Sequence, residues 1–162
     1  MTYMTEPRAD QSVSMPSAAE APSSLSMGTY RLLRMGTRPI VFQGEELGMA
    51  MSFTPDWPYW FEINLFRATD GTFPVAIKQY FVSEYQKNLA TAEATHSLSA
   101  AFDFIEHFDP AQYIPLTTRV SAAPATAAEM GAAAMDLKAQ VEAMRSHYRG
   151  LVGEFMHEID AA

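Results

Sequence analysis

The chain has no cysteine among its 162 residues. Disulfides, thiolate metal sites and cysteine nucleophiles are therefore excluded. Long apolar runs are missing too. The longest apolar cluster, Trp57 to Phe66, is bounded by Asp56 and interrupted by Glu62 and Asn64. It falls short of the roughly 18 to 20 apolar residues of a spanning helix. The N-terminal stretch has no apolar run of the kind a signal peptide needs. A soluble, cytoplasmic chain without a membrane partner is expected, and the lack of cysteine suits a reducing compartment. Positive charge is scarce: 11 Lys and Arg stand against 19 Asp and Glu, a net charge of −8. Binding to phosphate backbones needs clustered cations, so direct contact with nucleic acid is not expected.

Signatures of catalysis are also lacking. There is no G-x-S-x-G elbow, no H-E-x-x-H and no glycine-rich phosphate loop. The histidines His96, His107, His147 and His157 include no i, i+4 pair. Gly44 and Gly48 flank Glu45 and Glu46, and two acids repel a phosphate. The acids Glu45, Glu46, Asp56 and Glu62 read as solvated turn and strand charges, with paired acid–base carboxylates as the alternative. His107 reads as a residue favoured by a helix C-terminus. No catalytic, cofactor-binding or metal-ligating residue is assigned, and no cofactor is expected.

What the chain does have is 48% hydrophobic and 12% aromatic residues, enough for a core in one domain with appendages. Three regions follow. Residues 1–27 are rich in Ser, Ala, Pro, Thr and Met, carry Pro7, Pro16 and Pro22, and read as a disordered tail. Residues 28–123 read as a sheet-based α+β domain and 124–162 as a C-terminal helix. The fold class is α+β: an antiparallel β-sheet over residues 29–84, then a short helix and a long heptad-patterned helix.

The clearest strand signal is Tyr59 to Arg67. Phe61, Ile63, Leu65 and Arg67 fall on one face, and Trp60, Glu62, Asn64 and Phe66 on the other. Asp70-Gly71 supplies a hairpin turn, and Phe73 to Val82 alternates on the return. Apolar residues on both faces predict a central strand. Pro74 points to an edge position or an unpaired N–H. Upstream, Ile40 to Phe42 is a short strand. Gly44 to Gly48 reads as a turn into Met49 to Phe53, where Met49, Met51 and Phe53 share a face.

Downstream, Ser97 or Ser99 caps a short helix ended by Asp109-Pro110, with Leu98, Phe102 and Ile105 as its apolar stripe. Residues 110–125, with three prolines, read as a linker. Thr126 and Glu129 then form a capping box for the long helix. Its apolar residues are Ala127, Met130, Ala134, Leu137, Val141, Met144, Tyr148, Leu151 and Phe155. They alternate spacings of 3 and 4, a heptad repeat. Residues Met130 to Phe155 of this series form a candidate association seam, for a homo-oligomer or a partner helix. The competing reading lays the helix on its own sheet, and Gly131, Gly150 and Gly153 weaken it as an isolated helix.

A candidate partner patch combines Trp57 and Tyr59, on a proline-bounded loop, with Arg31 and Arg67. Charge is unevenly spread. In residues 28–82, Arg31, Arg34, Arg38, Arg67 and Lys78 balance Glu45, Glu46, Asp56, Glu62 and Asp70. The tail carries −2 and residues 83–162 carry −6.

The run Trp60 to Val75, with its Trp-x-Glu-hydrophobic theme, aromatic, Arg and following Gly, resembles small bacterial proteins of the EXLDI type. The likeness covers residues 29–83. Ala68 before Thr69 and the proline at Pro74 depart from the pattern. The resemblance implies the hairpin and a bacterial source; it implies no activity, so no site residue is carried over. The function expected is therefore a non-catalytic intracellular binding or assembly protein. It would associate through its C-terminal helix and present a β-sheet surface to a partner. The alternatives are an accessory or inhibitory subunit of a nucleoprotein or phage-related machine, and a small enzyme using acidic residues.

Overall fold

Alternating apolar side chains around Asp70-Gly71 fold residues 59–81 back on themselves, and the rest of the protein is built on that hairpin. The computed structural model describes residues 27–114 and 126–161. Five strands, β1 (Gly28–Leu32), β2 (Ile40–Met51), β3 (Tyr59–Ala68), β4 (Phe73–Phe81) and β5 (Leu89–Thr95), precede α1 (Leu98–His107). A 3-10 turn (Pro110–Tyr113) and the long α2 (Ala127–Ala161) follow. The strands form one antiparallel sheet in chain order, β1-β2-β3-β4-β5. The α+β class is thus observed. The tail over residues 1–26 and residues 115–125 of the expected linker lie outside the described residues.

The hairpin turn closes with Ala68 N donating to Thr72 O at 2.9 Å and Gly71 N to Ala68 O at 3.1 Å. Gly71 has φ 85°, a left-handed conformation that an L side chain resists. Asp70 Oδ1 accepts from Thr72 N at 2.9 Å and Thr72 Oγ1 at 2.7 Å, fixing the loop. β3 is the middle strand, as its two apolar faces predict. Pro74 does not place β4 at an edge, since β5 pairs with β4 and Pro74 stands opposite Ala94. A proline at the second residue forfeits a single ladder bond, which the strand tolerates. The sheet also runs beyond residue 84, because Leu89–Thr95 adds its fifth strand.

Gly44 to Gly48 is not a turn. β2 continues through it with a bulge at Leu47, between the pairs Glu46↔Phe66 and Gly48↔Leu65. The glycines serve close approach. A Cβ on Gly44 would lie 2.2 Å from the Arg67 carbonyl oxygen. A Cβ on Gly48 would lie 2.5 Å from Ile159 Cδ1 of α2. The extra residue inverts the alternation along β2, so Phe42 before it and Met49 and Met51 after it share one face.

The two faces are covered differently. On one, Phe61, Ile63, Leu65, Val75 and Ile77 pack against Ala101 and Ile105 of α1 and Met144, Tyr148, Leu151, Val152 and Phe155 of α2. This is the main core, and sheet and helix share it. On the other face, Leu32, Phe66, Ala76 and Ala92 are buried with Tyr30, Ile40 and Phe42 around them. Among the described residues no helix lies there. Instead the sheet coils on itself: β1 and β5 are its opposite ends, yet Met35 N donates to Ala90 O at 3.0 Å.

The helix ends form as the caps predict. Ser97 Oγ accepts from Ala100 N at 3.1 Å. Glu129 N donates to Thr126 Oγ1 at 3.2 Å, while Thr126 N donates to Glu129 Oε2 at 2.7 Å, closing the capping box.

Candidate interaction surfaces

The heptad residues divide into two sets. Met144, Tyr148, Leu151 and Phe155 are buried on the chain's own sheet, with Phe155 at 0% exposure. Tyr148 is further tied down by its hydroxyl, which donates to Ile105 O at 2.8 Å, and burial pushes its acidity far down. These four residues are engaged in the core and not open to a second chain. Val141 and Leu137 are half-buried, and Ala127, Met130 and Ala134 are exposed. Met130 is 58% exposed. Residues 127–136 are all exposed and thus run clear of the sheet for about 15 Å, at 1.5 Å per residue.

Where α2 leaves the sheet there is an apolar cavity of ≈ 380 Å³, lined among others by Trp57, Tyr59, Phe81, Ile114, Ala143 and Met144. One wall is an aromatic cluster around His147. The His147 ring lies 4.6 Å from Trp57 and 5.7 Å from Tyr59, centroid to centroid. Its Nε2 donates to Ser52 O at 3.2 Å, and its Nδ1 is buried without a partner. Burial raises the Tyr59 hydroxyl to about 12. A smaller cavity of ≈ 240 Å³ sits at the β5 edge, with Gln79 and Phe108 in its wall.

The patch Trp57, Tyr59, Arg31 and Arg67 is not one surface. Trp57 and Tyr59 do touch, ring centroids 5.6 Å apart, but Tyr59 is buried. Arg67 stands at the far end of β3, about 26 Å away at 3.3 Å per residue, and pairs with Glu45 at 3.4 Å. Arg31 is on β1 at the edge of the sheet. Spacing along β3 alone separates Tyr59 from Arg67, and the sheet order places Arg31.

A different surface is assembled on the uncoiled part of the sheet's helix-free face. Trp60 stacks on Tyr80 at 5.2 Å with 15° between planes, and Phe53 meets Trp60 edge-on at 5.2 Å. The next row is Met51, Glu62 and Lys78, and the one after it Met49, Asn64 and Ala76. Glu62 accepts from Lys78 Nζ at 2.6 Å and from Tyr80 OH at 3.1 Å. Burial first, and then the Glu62 carboxylate, raises the Tyr80 hydroxyl above its ordinary range. Asn64 Nδ2 donates to Glu46 Oε1 at 3.2 Å, and its Oδ1 is buried without a partner. Met49, Met51 and Phe53 are about half exposed along its border. The shared face of those three is as the sequence predicts. The Trp60, Tyr80, Glu62 and Lys78 cluster was readable from the turn: Asp70 at the loop centre pairs residues equidistant from it, which aligns 60 with 80 and 62 with 78.

The acids considered for acid–base work are separated. Glu45 faces the helix side beside Arg67, whereas Glu46 and Glu62 lie on the helix-free side with Asn64 and Lys78 as partners. Asp56 is in the β2–β3 loop. His107 Nδ1 lies 2.8 Å from Asp103 O, one helical turn back. Among the described residues, no three His, Asp or Glu side chains are grouped to hold a metal ion. No helix there is long and apolar enough to cross a membrane. Compared with known proteins, the chain matches no family model, no curated protein and no solved structure.

Proposed function

We propose that this chain is a non-catalytic intracellular binding and assembly protein. It associates through the free N-terminal half of α2 and offers the helix-free face of the sheet to a partner protein. The observation that carries the reading is the split heptad. Met130, Ala134 and Leu137 continue the seam whose later members build the core, but Met130 and Ala134 are exposed and Leu137 is only half-buried. Apolar side chains left in water at helical spacing gain free energy from any complementary helix. The helix-free face supports the second half of the reading. Its aromatic row and half-exposed methionines give contact area, and the Glu62–Lys78–Tyr80 network gives directionality. The acids and cations there are already paired with each other, which suits recognition better than proton transfer or phosphate binding.

Light scattering tests the association. The full chain is expected to show a mass above the monomer that falls on dilution. The double variant Met130→Glu, Leu137→Glu is expected to be monomeric with an unchanged melting temperature. A wild-type monomer at every concentration, or a double variant that still associates, overturns the reading.

A further inference from the structure

We infer that the helix-free face of the sheet recognises an arginine side chain of its partner protein, held at Glu46 and Asn64. The inference rests on the reading of that face as partner-binding and supplies the chemistry of the group it takes. Charge on the face is matched in one place and unmatched in another. Within the aromatic and charged network, Lys78 is engaged by Glu62 at 2.6 Å, and Tyr80 OH donates to the same carboxylate. The remaining acid, Glu46, is half-buried and is bonded to a neutral amide, with Asn64 Nδ2 donating to its Oε1 at 3.2 Å. No cation among the described residues pairs with it. Arg67 is with Glu45 on the helix side, and Arg145 is with Asp109 and Glu142. A carboxylate drawn partly out of water without a counter-charge carries a desolvation penalty, which a cation brought from outside relieves.

Asn64 adds a second, independent observation. It is 7% exposed, and with Nδ2 given to Glu46 its Oδ1 is left without a donor. The bond fixes the amide's orientation, because the reverse would set Oδ1 against the carboxylate. Buried acceptors are normally satisfied, so an idle one beside an unpaired carboxylate marks a place for a donor. The pair lacks a positive charge and a donor, and a guanidinium supplies both from one rigid plane. The surroundings favour guanidinium over ammonium. Phe66 stands across from Glu46, and Met49 across from Asn64, in the strand register. Tyr30 and Phe42 gather at the Phe66 ring, 4.6 and 5.3 Å away centroid to centroid. A planar, weakly hydrated cation lies against aromatic and thioether groups more readily than a strongly hydrated ammonium. The site is also at a border. β1 begins opposite Gly44, so among the described residues no strand lies beyond β2 from Glu46 onward. A partner chain reaches the pair from that side.

An NMR titration of the isotope-labelled full-length chain tests the site. The probes are N-acetyl-arginine amide, its neutral isostere N-acetyl-citrulline amide, and N-acetyl-lysine amide. The Asn64 side-chain amide signals are expected to shift saturably with the arginine probe, more weakly with the lysine probe and not with the citrulline probe. Glu46→Gln is expected to weaken arginine binding by about tenfold or more, as for the loss of a charge-assisted hydrogen bond. Glu62→Gln is expected to leave it nearly unchanged. Equal binding of the arginine and lysine probes would mean charge attraction without recognition of the guanidinium, and overturns the inference. So does a response to citrulline equal to that with arginine, a silent Asn64, or an arginine response that survives Glu46→Gln undiminished. The wild-type comparison of the three probes decides the matter even where a variant fails to fold. The Trp60 indole and Met51 methyl signals separate the two levels of failure. If they respond while Asn64 stays silent, the face takes ligands and the arginine site is lost. If no signal of the face responds to any probe, the site and the reading of the face fall together.

Discussion

The two halves of α2 carry one repeat and have opposite fates. From Met144 to Phe155 the a and d residues are buried against β3, β4 and α1. From Ala127 to Ala134 the same positions are exposed, and Leu137 is half-buried. What separates the halves is the length of sheet beneath them and the size of the side chains. The buried half brings Tyr148, Leu151 and Phe155, each large enough to reach the sheet. The free half brings mostly alanine and lies beyond the last strand residues. A periodic stripe thus states that a helix face will be covered, and the residues along it decide how much of the covering the chain supplies itself.

The sharpest way to break that comparison is truncation. Phe155→Ala is expected to cost about 3–5 kcal/mol, as for a fully buried aromatic side chain. Met130→Ala is expected to fall within about 0.5 kcal/mol, as for a surface site. Urea midpoints measured at low protein concentration compare them. Equal losses would mean that the free half is folded into the core after all.

A smaller effect is expected at the start of the free half. Thr126→Ala removes the hydroxyl that accepts from Glu129 N and should destabilise the first turns by about 1 kcal/mol. Hydrogen exchange should quicken for the first turns after Thr126 and stay unchanged around Leu151. Faster exchange throughout α2 would mean that the halves unfold as one.

The smallest effect is expected near the junction, where Arg145 donates to Asp109 at 3.0 and 2.7 Å. The Arg145 guanidinium holds the Asp109 carboxyl below its usual range. A carboxyl with a lowered folded value stabilises the fold above its unfolded value, about 3.9, and loses that contribution as pH falls through the folded value. Both side chains are about two-fifths exposed, 41% and 43%, so solvent screening keeps the effect slight. Asp109→Asn should reduce the loss of stability between pH 5 and pH 2 (roughly the range of acid titration). An identical acid profile would show that the pair contributes nothing.

Local signals were legible in the sequence, and long-range ones were not. The β3–β4 hairpin, the Ser97 cap and the Thr126–Glu129 box each rest on residues a few positions apart. β5 was hidden because its residues, Leu89-Ala90-Thr91-Ala92-Glu93-Ala94-Thr95, look like the start of the alanine-rich helical region. The alanines follow from the coil of the sheet: Ala92 is buried with Leu32 where the first strand folds across the last, and a larger side chain would hold them apart. Gly44 and Gly48 were visible as glycines, but glycine alone does not tell a turn from a close approach. The aromatic and charged cluster on the helix-free face needed only the hairpin register. Arg31 and Arg67 were grouped with Trp57 and Tyr59 by composition; strand spacing alone separates Arg67 from Tyr59, and the sheet order places Arg31.

The bulge at Leu47 works as a phase shift in the strand. Up to Glu46 the even-numbered residues of β2 point to the helix-free face, and from Gly48 the odd-numbered ones do. One strand therefore serves two out-of-step patterns: Phe42 joins the coiled aromatic cluster, and Met49 and Met51 border the open platform on the same face. Were Leu47 to pair regularly opposite Leu65 instead of bulging out, the two methionines would turn toward α2 and Ala50 would face outward. The width of the platform, and the space left for Ile159 above Gly48, depend on a count of one.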